Sequence, residues 1–249
     1  MMNLERRSGN CLKAMVFVGI VGLAATCGFA ADTGKIGDGV RTVYLIRHGD
    51  YDHEDDRDSE VGKELLPLGV AQARILASRL RGMPVDFSSL HSSTMTRARQ
   101  TAMVIGAEFP DLVIMNSRLI RECTPPTRRK DIMRGERPES LMACRRQLEK
   151  AFSTFFAPSR AADAHDIVVC HGNVIRYFVM RALGVDAEAW LGLSIGNCSL
   201  TTISVEADGS MKLLCFSDIG HLPPNLVTRT SPGEPRDLTV PGGITMTVE

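Results

Sequence analysis

The sequence predicts an α/β fold in which a mostly parallel central sheet carries helices on both faces. Two observations lead to this prediction. Short runs of β-branched and apolar residues alternate along the chain with segments of helical periodicity, and that alternation favours strands joined by crossover helices. The runs are also nearly continuous in their apolar character, as in VRTVYLIR and DIVVC, which is typical of strands buried on both faces.

The first half of the domain contains three predicted strands and two predicted helices. Residues 40–47 have the density of β-branched and apolar side chains that a buried strand needs. Residues 67–81 carry apolar side chains at helical spacing and begin with proline, which is favoured at the first helical position. The other elements are a strand over 87–91, a helix that Ser93 or Thr94 caps and that runs to about Glu108, and a strand over 112–115.

The second half of the domain begins with an irregular segment and ends with a hairpin. Residues 124–138 are rich in proline and arginine and should form a loop or lid. The dipeptide Asp208-Gly209 is a strong turn signal between two strands. The elements around these two features are helices over 139–156 and 174–183, a strand over 166–170, and hairpin strands over 198–206 and 211–216.

Residues 1–31 have the pattern of a targeting segment. Basic residues precede residues 14–31, which contain no charged side chain and end in small residues, as in a signal peptide. The 18 uncharged residues also approach the length of about 17–25 residues that a membrane-spanning helix needs, so an uncleaved membrane anchor is an open alternative. We therefore expect an exported protein, periplasmic or membrane-anchored, with a mitochondrial membrane or intermembrane space as the alternative.

The remaining boundaries follow from local composition. Residues 32–39 are polar and glycine-rich, which predicts a linker. Residues 223–249 contain many prolines and glycines and predict an extended C-terminal tail. The folded domain should therefore occupy residues 40–222.

The composition excludes several functional classes. The 249 residues include 29 Lys+Arg and 29 Asp+Glu, and this neutral balance gives no support to a general nucleic-acid binder. Aromatic residues make up 5% of the chain, too few for a platform that stacks single-stranded bases. The 7 cysteines are too few and too scattered for a disulfide framework, and Cys170 and Cys198 fall on predicted strands as core residues.

Polar and charged side chains gather where the predicted strands end. His48 follows the first strand directly after Arg47, and His171 follows the fourth strand. Arg97 lies one turn into the helix after the second strand, and Glu122 comes just before the irregular loop. Because ligands bind beyond the carboxyl ends of parallel strands, these side chains should share one crevice. Arginine donors and a helix N-terminus both suit a phosphate group.

Four short motifs resemble those of the histidine phosphatase superfamily, also called the phosphoglycerate-mutase-like family. Each motif alone is weak, but the four occur in the family's order and at its spacing, from about residue 41 to residue 220. Within the superfamily the chain most resembles the mitochondrial serine/threonine protein phosphatases. The motifs are Leu45-Ile46-Arg47-His48-Gly49, Ser92-Ser93 with Arg97-Ala98 and Thr101, Leu119-x-x-Glu122, and His171-Gly172-Asn173.

The resemblance implies a phosphatase that uses neither a metal nor another cofactor. It implies that His48 attacks phosphorus and becomes a phosphohistidine, and that Glu122 protonates the leaving oxygen and later activates water. It implies that His171 is the third catalytic residue, and that the substrate is bound by Arg47, Arg97 and Asn173.

The substrate stays open at this level. A phosphorylated protein, dephosphorylated at serine or threonine, is favoured because the chain most resembles protein phosphatases. A small-metabolite phosphatase or a phosphoglycerate mutase is the alternative, since the first half-reaction is the same. A third hypothesis is a non-catalytic module that only binds phosphorylated partners. Nucleic acid is not an expected partner, the membrane is one if residues 1–31 are not cleaved, and a homo-oligomer is a further expectation.

Two charged loops flank these motifs. Seven of the residues 50–60 are acidic, but their spacing lacks the pattern of a calcium loop, so a solvated loop is the favoured interpretation. The segment 128–137 is basic, and we expect a charged mobile loop there, with a substrate-binding lid as the alternative.

Overall fold

The fold is built on a six-stranded mixed sheet. A computed structural model describes residues 39–229 of the chain. The strands are β1 (Arg41–Arg47), β2 (Ser89–Ser93), β3 (Ile114–Ser117), β4 (Ala164–Cys170), β5 (Leu200–Val205) and β6 (Met211–Asp218). Their order is β3-β2-β4-β1-β5-β6. The first four in this order are parallel, while β5 is antiparallel to β1 and β6 is antiparallel to β5. The predicted mostly parallel α/β sheet is confirmed.

Helices cover both faces of this sheet. They are α1 (Pro67–Arg81), α2 (Thr96–Gly106), α3 (Lys130–Gly135), α4 (Pro138–Phe155) and α5 (Gly172–Ala182), with short 3₁₀ helices at Arg118–Ile120, Ala187–Gly192 and Pro224–Leu226.

Alternate residues of the same strands fill two separate cores. Val43 and Leu45 of β1 pack in one apolar cluster with α4 and α5. Tyr44 and Ile46 pack in a second cluster with α1 and α2. The strand is therefore apolar on both faces, and burying each aliphatic side chain stabilises the fold by about 1.5–3 kcal/mol. This double burial explains why the run of residues 40–47 shows no alternation of polar and apolar positions.

Several boundaries differ from the prediction. Strands β2 and β3 both lie two residues further along the chain than expected. The predicted cap of α2 is wrong, because Ser93 is the last residue of β2 and the helix follows Met95 without a side-chain cap. The segment predicted to be irregular contains the short helix α3.

The predicted targeting segment over residues 1–31, most of the predicted linker over 32–39 and the end of the predicted tail from residue 230 lie outside the described residues. Within residues 39–229, no helix has both the length and the apolar character needed to cross a membrane. In the first part of the predicted tail, Pro224–Leu226 form a 3₁₀ helix, and residues 227–229 follow without regular secondary structure.

Candidate active site

The carboxyl ends of β1, β2 and β4 bring the predicted site residues together. The neighbouring strands β1 and β4 lead into helices on opposite faces of the sheet, α1 and α5, and such a reversal opens a crevice at the strand ends. The rings of His48 and His171 stand there with centroids 5.1 Å apart. Both rings are buried, and so are Arg47 and Arg97. These four predicted residues therefore share one buried site.

Hydrogen bonds define the tautomer of His48. Its Nδ1 lies 2.8 Å from the carbonyl oxygen of Gly49, which can only accept, so Nδ1 carries the proton. Its Nε2 accepts a hydrogen bond of 3.1 Å from Nε of Arg97, which can only donate. Burial, reinforced by the charges of Arg97 and other neighbouring cationic groups, holds the pKa of His48 well below its usual range. His48 is therefore neutral at physiological pH, and its one Nε2 lone pair accepts the hydrogen bond from Arg97 and is available for attack once that bond is released.

The backbone around His48 is held by close packing and by hydrogen bonds. A Cβ atom on Gly69 would stand 1.9 Å from the carbonyl oxygen of Asp50, and one on Gly49 would stand 2.6 Å from the carbonyl oxygen of Gly69. Only glycine permits these approaches between α1 and the loop after β1. The amide of Gly49 also donates to Oγ1 of Thr101 in α2. The nucleophile candidate is thus mounted on a loop with little room to move.

His171 has one nitrogen bound to the protein and one that faces the site. Oγ of Ser93 lies 2.8 Å from Nε2 of His171 and also receives a hydrogen bond from the amide of Met95. We therefore assign the Ser93 hydroxyl as donor to Nε2 and place the ring proton on Nδ1. Burial is the main cause that lowers the pKa of His171 well below its usual range, followed by the neighbouring arginines. The Nδ1–H group is then a neutral donor directed towards Glu122, 3.8 Å away.

Glu122 joins the site from the loop after the first 3₁₀ helix. Its Oε1 accepts a hydrogen bond of 3.2 Å from the amide of Asn173 in the first turn of α5. Burial raises the pKa of Glu122 above its ordinary value, although this hydrogen bond and the charges of Arg97 and Arg47 oppose the shift. A raised pKa is what a carboxyl group needs to keep a proton for a leaving group.

The loop that carries Glu122 is tied to α4 by hydrogen bonds and by a disulfide. Nε2 of Gln147 in α4 donates to the carbonyl oxygens of Leu119 and Arg121, at 3.1 and 3.0 Å. A disulfide of 2.05 Å joins Cys123 to Cys144 of α4. No sequence pattern predicts this pair, whereas Cys170 and Cys198 are free and buried, as predicted. The position of Glu122 is therefore fixed by contacts of its neighbours in the chain as well as by the hydrogen bond to its own carboxyl group.

Asn173 also supports the loop that carries Glu122. Its side-chain amide donates to the carbonyl oxygen of Cys123 at 3.2 Å, and its Oδ1 accepts from Nη1 of Arg176 at 3.2 Å. Asn173 therefore contacts the loop of the candidate acid, and its predicted contact with substrate stays a prediction.

Three further residues belong to the site and were absent from the predicted set. Ser93 orients His171; it belongs to one of the four motifs, but its position before a helix predicts a cap instead. Tyr51 contacts the His48 ring edge to face at 5.1 Å and lies under the guanidinium of Arg97 at 4.7 Å. Arg176 donates to Asn173 from the next turn of α5. No periodic or motif signal marks Tyr51, whose role depends on the folding back of its loop.

The carboxylates of the acidic loop are engaged by backbone amides and by basic side chains. Asp52, Asp55 and Asp58 accept hydrogen bonds from backbone amides within the loop. Glu60 accepts from the Thr94 hydroxyl and pairs with two arginines of the segment before Glu122. Among residues 39–229 no group of His, Cys, Asp or Glu side chains could hold a metal ion. These carboxylates therefore stabilise the loop itself and its contact with the segment before Glu122.

The basic loop is partly neutralised. Arg128 forms an ion pair with Asp186, and Arg129 forms one with Asp131. The loop is also joined to the 3₁₀ helix over 187–192, since the Thr127 hydroxyl and the Arg128 amide donate to the carbonyl oxygen of Glu188. These contacts join the segment to the 3₁₀ helix over 187–192.

Several buried polar atoms around His48 lack a hydrogen-bond partner within the described residues. They include Nε of Arg47, Nη1 of Arg97, Nδ1 of His171 and Oε2 of Glu122. Buried polar groups are normally paired, and buried cations are costly without a counter-charge. Three of these atoms are donors and can bind the oxygens of a tetrahedral anion beside the His48 lone pair. The fourth can pass a proton to an oxygen that leaves the anion. The arrangement can therefore bind and cleave a phosphate ester.

Comparison with known proteins agrees with this geometry. The family model of the histidine phosphatase superfamily (branch 1) matches residues 43–218. The mitochondrial serine/threonine-protein phosphatase Pgam5 of Caenorhabditis elegans is 40% identical over 198 residues, which cover 76% of this chain and 67% of that protein. The human PGAM5 protein of the same description is 33% identical over 195 residues, covering 76% of this chain and 66% of its own length. A crystal structure of phosphoglycerate mutase from Plasmodium falciparum superposes with a TM-score of 0.53 at 29% identity and covers 74% of this chain and 95% of its own.

Proposed function

The chain belongs to the histidine phosphatase superfamily, and from this premise we propose that it hydrolyses phosphoserine and phosphothreonine in proteins. The observation that supports this most directly is the set of buried, unpartnered polar atoms that surrounds Nε2 of His48. Phosphoryl transfer needs little covalent help beyond a nucleophile, but it needs fixed donors around the transferring oxygens.

In the first step, Nε of Arg97 releases its hydrogen bond to Nε2 of His48, and the freed lone pair attacks phosphorus in line with the ester oxygen. A P–N bond forms as the P–O bond to the serine or threonine breaks. Arg47, Arg97 and Nδ1–H of His171 bind the other phosphoryl oxygens throughout the transfer. Glu122 gives its proton to the departing alkoxide, which leaves as a neutral hydroxyl group.

In the second step, water hydrolyses the phosphohistidine. The Glu122 carboxylate accepts a proton from the water as its oxygen bonds to phosphorus. The P–N bond breaks, its electron pair returns to Nε2 of His48, and inorganic phosphate is released. The enzyme then has its original protonation state, so the cycle closes with only water consumed.

Two observations bear on the choice of substrate. The curated relatives whose names state a serine/threonine protein phosphatase align with three quarters of this chain, and they support a phosphoprotein. The likeness to a phosphoglycerate mutase at 29% identity supports the alternative of a small phosphomonoester. A module that only binds phosphorylated partners is less well supported, because such a module would not need the His48 tautomer or the raised pKa of Glu122.

We further propose a mitochondrial location, with residues 1–31 as an uncleaved membrane anchor. The curated relatives are described as mitochondrial, which favours this alternative over the exported or periplasmic location that the N-terminal pattern first suggested. Fractionation of cells that express the full chain, followed by protease protection, tests the proposal.

The function is tested by trapping the phosphoenzyme. The full chain is mixed with a phosphoserine peptide labelled on phosphorus and quenched in alkali, in which phosphohistidine survives. We expect label on the wild type and none on His48→Ala. The control is His165→Ala, because His165 lies at the opposite end of β4, roughly 20 Å along the strand from His171. Label on His48→Ala would contradict the proposed nucleophile.

A substrate panel then separates the alternatives. Phosphoserine and phosphothreonine peptides, 3-phosphoglycerate and sugar phosphates are compared by kcat/KM. We expect the peptides to be the better substrates, and faster turnover of 3-phosphoglycerate would favour the small-molecule alternative.

A further inference from the structure

A polar side chain in the middle of α1 is completely buried and reaches towards the loop that carries His48. Gln72 has an exposed fraction of 0%. Its Oε1 accepts a hydrogen bond of 2.9 Å from the amide of Asp50, two residues after His48. Its Nε2 donates at 2.7 Å to the carbonyl oxygen of Leu226 and at 2.8 Å to Oγ1 of Thr228. Gln72 therefore connects the catalytic loop to the segment Leu226–Thr228, which follows the sheet.

A second buried amide makes the same connection from the other side. Asn197, just before β5, has an exposed fraction of 1%. Its Nδ2 donates at 3.0 Å to the carbonyl oxygen of His48, and its Oδ1 accepts at 3.0 Å from the hydroxyl of Thr228. Its own amide donates at 3.1 Å to the carbonyl oxygen of Thr228. Both ends of the loop from His48 to Asp50 are thus bound to amides that Thr228 joins together.

The hydroxyl of Thr228 holds the centre of this network. It accepts from Gln72 and donates to Asn197, so its one proton and a lone pair are both used. Both amides are buried, and neither could exchange this partner for bulk water without a rearrangement. We propose that Thr228, Gln72 and Asn197 are positioning residues for catalysis, and that the segment Leu226–Thr228 fixes the backbone of the nucleophile His48.

The inference rests on the proposed function, because it concerns the nucleophile of that reaction. It assigns no contact with the phosphoryl group to these three residues. Of the three groups that bind the phosphoryl oxygens, Arg97 lies in α2 and His171 directly follows β4, so neither belongs to this network. The third, Arg47, ends β1, and its guanidinium is held separately by the carbonyl oxygen of Ile195, to which Nη1 donates at 2.8 Å. Loss of the network should therefore slow the attack by His48 and leave the affinity for a phosphate anion almost unchanged.

The test compares Thr228→Val with Thr228→Ser in the full chain. Valine keeps the size of threonine and removes the hydroxyl, whereas serine keeps the hydroxyl. Misplacing a reacting atom by about 1 Å can cost roughly 100-fold in rate, so we expect Thr228→Val to lower the single-turnover rate of phosphoenzyme formation by about 10-fold or more. We expect the inhibition constant of inorganic phosphate to change by less than about 2-fold, and Thr228→Ser to recover most of the rate.

A control and a second substitution keep the result interpretable. Thr154→Val changes an exposed threonine of α4 whose hydroxyl bonds within its own helix, and it should have no effect on the rate. If Thr228→Val does not fold, Thr228→Ala removes the same hydroxyl without placing a second methyl group beside Gln72.

The outcomes distinguish this inference from the proposed function. If the wild type forms no phosphohistidine, the proposed function fails. If the wild type forms it and Thr228→Val forms it at the same rate, the positioning role is overturned. Equal losses of rate and of phosphate affinity, or unfolding of both the valine and the alanine variants, would show that the segment serves the fold alone and would also overturn it.

Discussion

Replacing Glu122 with glutamine removes a proton from the site and leaves its shape almost unchanged. The amide oxygen of glutamine can keep the hydrogen bond of 3.2 Å from the Asn173 amide. The other carboxyl oxygen has no hydrogen-bond partner within the described residues, so its replacement by an NH₂ group breaks no existing bond. His171 Nδ1 stands 3.8 Å away, outside hydrogen-bond distance. The substitution therefore isolates the acid function of this residue.

The expected loss depends on the leaving group. A serine alkoxide is strongly basic and needs a proton as it departs, whereas 4-nitrophenolate leaves without one. General acid catalysis contributes about 10²–10⁴-fold, which corresponds to about 3–5 kcal/mol of transition-state stabilisation. We expect Glu122→Gln to lower kcat/KM for a phosphoserine peptide by that factor, and to lower it for 4-nitrophenyl phosphate by less than about 10-fold.

The pH dependence gives a second measure of the same role. Because burial raises the pKa of Glu122, its protonated form persists to a higher pH than for an ordinary glutamic acid. Peptide hydrolysis should therefore fall as the pH rises through this raised pKa, and Glu122→Gln should lack that alkaline limb. His48 must be neutral to attack, and its lowered pKa places the acid limb well below pH 6.5 in both proteins.

The assay measures kcat/KM for both substrates across this pH range. Glu206→Gln is a matched control, since Glu206 lies in the β5–β6 hairpin, where its carboxylate forms an ion pair with Lys212. An equal loss on the peptide and the aryl phosphate would refute the acid role of Glu122. So would an alkaline limb that survives in the glutamine variant.

Two other predictions concern the framework of the site. Gly69→Ala places a Cβ atom 1.9 Å from the carbonyl oxygen of Asp50, so we expect thermal unfolding to show that the free energy of unfolding falls by about 1–3 kcal/mol, together with lower activity. Gly135→Ala, whose new Cβ has no heavy atom within 4 Å, should change neither stability nor activity, and equal behaviour of the two variants would contradict the argument. Arg97→Lys removes the Nε–H group that bonds to His48 and leaves a single donor head, so kcat should fall by about 10²–10³-fold, and a fall of less than about 10-fold would contradict the role of the guanidinium.

The sequence predicts the part of the site that depends on local pattern. β1 and β4 are continuous apolar runs, so their ends could be located, and with them Arg47, His48 and His171. Arg97 and Glu122 follow from short motifs. The structure places all five together, and their chemical roles stay predictions that the substitutions above test.

The remainder of the site depends on contacts between distant segments. A serine before a helix usually caps it, so the local sequence predicts a cap at Ser93, and only the pairing of β2 with β4 brings Ser93 to His171. Cys123 and Cys144 pair because α4 packs against the loop of Glu122, and seven cysteines allow many other pairings. Thr228 lies 156 residues from Gln72, and no local pattern records such a contact.

The unpartnered donors of the site also bear on how the reaction ends. Arg47, Arg97 and His171 recognise phosphoryl oxygens, and inorganic phosphate presents the same oxygens as the ester does. At this cluster the ester binds only through its phosphoryl group, and inorganic phosphate presents an equivalent group. Phosphate should therefore compete with substrate, and its departure from a buried cationic site is a candidate for the slowest step. The rate of turnover in the cell would then fall as the phosphate concentration rises, and it would rise with the supply of phosphorylated substrate.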